Sequence, residues 1–279
     1  MRIKILWQAE YRSASGERGG LKEATDTVVD LAKRVARPDT TIELRYNENG
    51  PESVTSHLLF HRQVTLMQVV GKIAEAEAEF DAAFPGICAI DGWSQAARQI
   101  CSIPVIGASE SSMMTCMLMG RRFAYIVPNP VYITPFEDKI YECGWERRAI
   151  ANPIRSLEAP TAWNSIADSA MTGSTRWVEM FDKLAQECCR DGADAVICGC
   201  NPGAAQLAAH DYFEVSNYHV PVILPPATMV KFAEMMVDLR RTIGLEKTHK
   251  TTGMYRPFDD ASKAELMAMV SKMVHFGEE

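Results

Sequence analysis

No stretch of about 18 consecutive apolar residues occurs in this chain, so a membrane-crossing helix is not expected. The N-terminal run Met-Arg-Ile-Lys-Ile-Leu-Trp is too short for a secretory leader, which points to a cytoplasmic protein. Positive charge is in deficit: 29 Lys and Arg stand against 36 Asp and Glu, a net charge of −7. That balance offers no basic footprint and argues against nucleic acid or an anionic membrane as a partner. Cys-x-x-Cys is missing, and no His-x-x-x-His lies near Cys198-Gly199-Cys200 to complete a tetrahedral site, so no metal is expected. The six histidines supply no Cys-His nucleophile pattern; His57 and His61 sit one helical turn apart and read as surface residues. The segment Ser13 to Gly20 has neither Gly-x-Gly-x-x-Gly spacing nor the Lys-Ser/Thr of a P-loop, and reads as a flexible loop.

What is present is ordinary globular protein. The 279 residues are 47% hydrophobic and 23% charged, enough for one large or two modest domains with real cores. Eight cysteines without secretory context indicate a reducing compartment, with thiols that fill the core or do chemistry. Apolar strand-like runs alternate with helical patterns, which argues for parallel sheets flanked by helices.

Two stretches read as copies of each other, and each ends in a cysteine. The first is Phe80-Asp81-Ala82-Ala83-Phe84-Pro85-Gly86-Ile87-Cys88, followed by the apolar run Ile103-Pro104-Val105-Ile106. The second is Ala193-Asp194-Ala195-Val196-Ile197-Cys198-Gly199-Cys200, followed by Val220-Pro221-Val222-Ile223. The repeat suggests two similar half-molecules facing each other, each a four-stranded parallel sheet flanked by helices, so that the two cysteines form one site. The expected boundaries are 1–112 for the domain carrying Cys88 and 113–227 for the domain carrying Cys200. Residues 228–279 form C-terminal helices that pack back on the first domain or on a subunit neighbour. Expected strands include Pro104 to Ile106 and Ala195 to Ile197; expected helices include Ser111 to Met119 and Gly203 to Tyr212. Lys247 to Pro257 reads as a loop, and Asp259 and Asp260 as caps of a last helix.

In open parallel sheets ligands bind beyond the carboxyl ends of strands, where helix N-termini present backbone N–H groups. Cys88 and Cys200 both fall there, and a thiol at a helix N-terminus has its pKa lowered toward neutral. Small residues after each cysteine would let a ligand approach the backbone. A thiol on either side of a ligand suits moving a proton from one face of a carbon to the other, and such thiols should react quickly with iodoacetamide at neutral pH. The alternative is that both are buried structural cysteines. Gln8, Ser109, Ser111 and Asn129 also follow strands; each is a hydrogen-bonding group for a substrate carbonyl or a local cap, Ser111 in particular resembling an N-cap. Cys198, Cys188 and Cys189 read as structural.

The residues resemble the aspartate/glutamate/hydantoin racemase superfamily, nearest its hydantoin-racemase-like branch. Cys88-Ala-Ile-Asp-Gly-Trp-Ser-Gln-Ala-Ala-Arg98 is similar to the family's Cys-Phe-Gly-Asp-Pro-Gly-Leu-x-Ala-Ala-Arg. Ile103-Pro-Val-Ile-Gly-Ala-Ser-Glu-Ser-Ser112, Met119-Gly-Arg-Arg-Phe123 and Gly192-Ala-Asp-Ala-Val-Ile-Cys-Gly-Cys-Asn-Pro-Gly-Ala-Ala205 resemble its later blocks, so the likeness runs from residue 1 to about 245. The resemblance implies two pseudo-symmetric α/β domains with the active site in the cleft between them, and cofactor-independent chemistry with Cys88 and Cys200 as paired acid/base thiols. Backbone amides, aided by Ser109, Ser111, Asn129 or Asn201, would hold the developing enolate oxygen. It also implies a small-molecule substrate and a homo-oligomer. Departures are Gln8-Ala-Glu-Tyr11 in place of Asn-Pro-Asn-Thr, Trp93, and Asn201-Pro202 in place of Ala-Gly. The expected function is therefore a racemase or epimerase acting α to a carbonyl in a hydantoin or amino-acid-like molecule. The alternatives are a same-fold isomerase, decarboxylase, ring hydrolase or desulfurase using cysteine chemistry, or a non-catalytic small-molecule binding protein.

Overall fold

The computed structural model describes residues 2–12, 21–47, 58–87, 91, 93–256 and 258–274. Ile3–Gln8 (β1), Thr40–Arg45 (β2) and Ala82–Pro85 (β3) form a parallel sheet with β1 in the middle. Phe123–Val127 (β4), Ala149–Ser156 (β5), Ala195–Cys198 (β6), Glu214–Val215 (β7) and Val220–Ile223 (β8) form a second sheet, ordered β5-β4-β6-β8-β7. Its first four members in that order are parallel, and β7 pairs antiparallel on the β8 edge. The helices are Leu21–Val35 (α1), Leu59–Ala76 (α2), Ser94–Ile100 (α3), Ala108–Met119 (α4), Ile133–Glu142 (α5), Thr161–Thr172 (α6), Arg176–Arg190 (α7), Asn201–Ala209 (α8), Pro225–Ile243 (α9) and Asp260–Val274 (α10). The chain is thus α/β, with two sheets flanked by helices. No described helix is long and apolar enough to cross a membrane.

Alternation along β1 sorts its side chains between two cores. Ile3, Ile5 and Trp7 join a large cluster that runs through both sheets, while Leu6 joins a smaller one with Val69, Ile73, Phe80 and Val105. The shared core exists because α1 is apolar at Ala24, Val28, Leu31 and Ala32, all buried, a helical i, i+4, i+7, i+8 stripe. That stripe lets α1 pack against α6, α8 and α9 at once, so the two sheets meet through helices and not edge to edge.

Four features depart from expectation. The strand foreseen at Pro104 to Ile106 makes a single parallel bridge, Ala83 to Val105, because Pro104 has no N–H and contributes only its carbonyl to Ala83 N. Helix α6 was not foreseen: its buried face of Ala162, Ser165, Ile166 and Ser169 is too small and polar to register as an apolar stripe. The two-residue β7 carries no sequence signal of its own. Helix α4 starts at Ala108, so Ser111 is inside the helix and is not its N-cap. The cap comes from elsewhere in the chain: the Asp91 carboxylate accepts the backbone N–H groups of Ala108 and Glu110, the latter at 2.9 Å.

The C-terminal segment is tied to the first sheet's helices. Helix α9 packs on α4, α1, β3 and β1, and ends at Gly244, whose φ of 68° suits glycine. Beyond it Lys247 Nζ donates to the carbonyls of Arg98, Gln99 and Cys101, neutralising the C-terminal end of α3. Asp259 caps α10 by accepting from Ser262 N at 2.9 Å, and α10 lies on α2 with Lys263 3.2 Å from Glu77. Replacing Lys247 with Met keeps the aliphatic stem and removes these charge-assisted bonds. The variant should lose about 1.5–3 kcal/mol of stability in urea unfolding, and an unchanged midpoint would show that the cap contributes nothing.

Candidate active site

Cys200 sits two residues beyond the end of β6 and is the N-cap of α8, in extended conformation with φ −149° and ψ 114°. Its Sγ accepts from Gly203 N at 3.5 Å, and Pro202 fills a first-turn position where no N–H is needed. The placement at a helix N-terminus agrees with expectation; the consequence for acidity does not. Cys200 is only 8% exposed, and desolvation of its thiolate pushes its pKa up to about 12, against the opposing pull of the Gly203 N–H. One long sulfur hydrogen bond and half a unit of helix charge do not offset removal from water. Cys200 is a thiol, not a thiolate, at neutral pH.

The small residues around it serve packing. A Cβ on Gly199 would lie 2.7 Å from Val127 Cγ1, and one on Gly203 would lie 2.6 Å from the Trp177 ring. Gly203 is therefore small to admit Trp177, whose Nε1 donates to Gly203 O at 2.9 Å, rather than to admit a ligand. The first sheet has the counterpart: Trp7 Nε1 donates to Gly86 O at 2.7 Å, two residues before Cys88. Cys198 is fully buried, donates to Cys200 O at 3.4 Å, and is held protonated by burial, consistent with a structural thiol.

Cys88 lies outside the described residues, but its flank on the strand side does not. Ile87 N donates to Glu10 Oε2 at 2.6 Å, and Ile87 O accepts from Asn201 Nδ2 at 2.6 Å. The residue before Cys88 is thereby bonded to the residue after Cys200. Glu10 and Tyr11 belong to this neighbourhood; the sequence marks them only as part of the departure Gln8-Ala-Glu-Tyr11 and assigns them no role, although their place just past β1 is a usable signal. Tyr11 is buried with its hydroxyl 2.7 Å from Thr25 Oγ1; burial and then Glu10 raise its pKa, and Cys200 is close enough to add to the effect. Gln206 of α8 donates to Thr27 of α1 at 2.7 Å and closes the same seam.

The other polar candidates are occupied within the fold. Gln8 Nε2 donates to Ala9 O at 3.1 Å and Arg45 O at 3.3 Å. Ser109 is buried and its carbonyl accepts from Tyr125 Oη at 3.3 Å. Ser111 Oγ donates to Ala108 O at 3.2 Å and lies 3.1 Å from Thr228 Oγ1, on the wall of a cavity of about 550 Å³ shared with Glu110, Met114, Trp145 and Met236. Cys200 does not line that cavity. Asn129 Oδ1 accepts from Val131 N at 3.0 Å and caps a short 3-10 turn after β4. Asp91, three residues past Cys88, adopts φ 58°, which aspartate tolerates. Burial and then the Glu110 carboxylate push it up to about 7. Burial would raise Glu110 too, but its ion pair with Arg98, with Lys139 at 3.7 Å, holds it below the usual carboxylate range.

The Asp/Glu/Hydantoin racemase family model matches residues 22–233. The chain belongs to that family. As a family member it is an enzyme of the racemase class, an isomerase. A hydantoin racemase of Pseudomonas sp. (strain NS671) is 29% identical over 229 residues, 81% of this chain and 86% of the relative. A hydantoin racemase of Rhizobium meliloti is 27% identical over 174 residues, 61% of this chain and 68% of the relative. In fold the chain is similar to an allantoin racemase from Klebsiella pneumoniae, with a TM-score of 0.73 and 23% identity over 92% of this chain and 94% of that one.

Two tests follow from the site of this racemase-family chain. Because Cys200 ionises only near pH 12, its alkylation by iodoacetamide in the ligand-free protein should climb about tenfold per pH unit from pH 7 to 10. A plateau near pH 8.5, followed by mass spectrometry of the Cys200 peptide, would contradict the buried-thiol picture. Gly199→Ala forces its methyl against Val127 and Ile126 O, so it should cost about 1–3 kcal/mol by thermal unfolding and displace Cys200. An Ala variant as stable as the parent would show that the turn relaxes freely.

Proposed function

We propose that the protein inverts the configuration of a carbon α to a carbonyl in a hydantoin-class substrate, using Cys88 and Cys200 on opposite faces. In one direction the Cys88 thiolate removes the C5 proton, and the electron pair moves into the adjacent ring carbonyl. The Cys200 thiol delivers its own proton to the other face and becomes the thiolate for the reverse reaction. The ring suits this chemistry because the carbanion is delocalised into a carbonyl, so two well-placed thiols suffice. The observation that carries the reading is the state and place of Cys200: buried, protonated at neutral pH, at a strand end and helix N-terminus, as a proton donor to a carbanion requires. The 29% identity to a hydantoin racemase over most of both chains supports the choice of substrate class. A site between the two halves, close to Glu10, Tyr11 and Asn201, is part of the same proposal.

The test is polarimetry and proton NMR in deuterated water with allantoin and 5-benzylhydantoin, starting from each enantiomer. The parent protein should invert both with solvent deuterium in the product. Cys88→Ser and Cys200→Ser should each lower inversion by about 10²–10⁴-fold. Each variant should retain α-hydrogen exchange for one enantiomer, a different one in the two cases. Undiminished inversion by either variant would defeat the two-thiol mechanism, and no inversion of either ring by the parent would defeat the hydantoin assignment.

A further inference from the structure

Asn201 is fully buried at the first position of α8, where it is not the helix cap; Cys200 is. Its Nδ2 donates to Ile87 O at 2.6 Å, while its Oδ1 is buried with no partner among the described residues. An amide that satisfies one end and has no partner for the other among the described residues is a poor choice for stability alone, since a buried unpaired acceptor is penalised. Alanine at this place would avoid the penalty and favour the helix more. What asparagine supplies is a grip on the Ile87 carbonyl. Ile87 is held on its other side as well, because its N–H is bound by the buried Glu10 carboxylate at 2.6 Å. The peptide leading into Cys88 is thus clamped between the loop after β1 and the first residue of α8, itself covalently joined to Cys200.

We propose that Asn201 is a positioning residue that sets the distance and alignment between the Cys88 and Cys200 thiols, with Glu10 bracing the same peptide from the first half. The proposal rests on the two-thiol reading above. Proton delivery to the far face needs the second thiol within about an ångström of its place, whereas removal and return of a proton on one face needs only the first. Loss of the clamp therefore separates the two half-reactions. Deprotonation by Cys88 continues, the Cys88 thiol trades its proton for deuterium with solvent, and the deuteron returns to the same face. The substrate becomes labelled without inverting.

The test compares the parent, Asn201→Ala and Thr27→Val; the last breaks the Gln206–Thr27 bond, another link between α8 and α1, without touching Ile87. For Asn201→Ala, inversion of 5-benzylhydantoin should fall about 10–100-fold, and the ratio of same-face deuterium exchange to inversion should rise by a similar factor. Thr27→Val should leave that ratio unchanged. Amide hydrogen exchange read by mass spectrometry should speed up in the peptide spanning Cys88 in Asn201→Ala, with the thermal midpoint close to the parent's. Exchange and inversion falling together, or an unaltered Cys88 peptide, would overturn the proposal. A parent that neither exchanges nor inverts hydantoins would defeat the functional reading instead, and the amide-exchange arm would still decide whether the clamp exists.

Discussion

A buried hydrogen bond between Asn201 Nδ2 and the carbonyl of Ile87 joins the turn after one cysteine to the turn before the other. It works because the groups on either side of it are themselves immobile. Trp7 fixes Gly86 and Trp177 fixes Gly203, each through an indole N–H to a glycine carbonyl, so both turns are pinned before they meet. Beneath them the apolar stripe of α1 merges the cores of the two sheets. In this dry setting a thiol is costly to ionise, and Cys200 stays protonated as a direct result of the packing that positions it.

The fold repeatedly uses buried carboxylates where a local polar side chain would have served. Glu10 binds Ile87 N, and Asp91 caps α4 from across the chain, accepting from Ala108 and Glu110. These long-range bonds tie the residues on both sides of Cys88 to separate parts of the chain, the loop after β1 and helix α4. The cost is crowding of negative charge, and the protein answers it with Arg98 from α3 and the almost fully buried Lys139 from α5 beside Glu110. Lys139 comes from α5, which packs on the second sheet, and Arg98 from α3, which packs on the first, so the same charge cluster links elements of both sheets.

Much of this was legible from residues in order. The strand ending near Cys88, the strand and helix flanking Cys200, and the alternation of elements follow from apolar runs of the right length bounded by Gly, Pro and Asp. The resemblance of the two cysteine blocks carried the family. Helix α6 was illegible because alanines and serines fill its buried face, and the Pro104 strand was over-read because a proline can lie beside a strand without completing a ladder. Ser111 looked like a cap because Ser before an apolar run usually is one; the true cap, Asp91, is remote in sequence.

Most of the alternation of strands and helices, the repeated cysteine blocks and the family were determined by the sequence by itself, since each depends on short-range pattern. The protonation state of Cys200, the reason Gly203 is glycine and the partner of Asn201 were decided only by the tertiary structure. Those properties depend on burial and on contacts between residues far apart in the chain: Trp177 over Gly203, and Ile87 against Asn201, 114 positions away. A helix N-terminus read in isolation promises an acidic thiol. Desolvation by the surrounding core reverses that promise, because taking the thiolate out of water costs more than a partial helix charge returns.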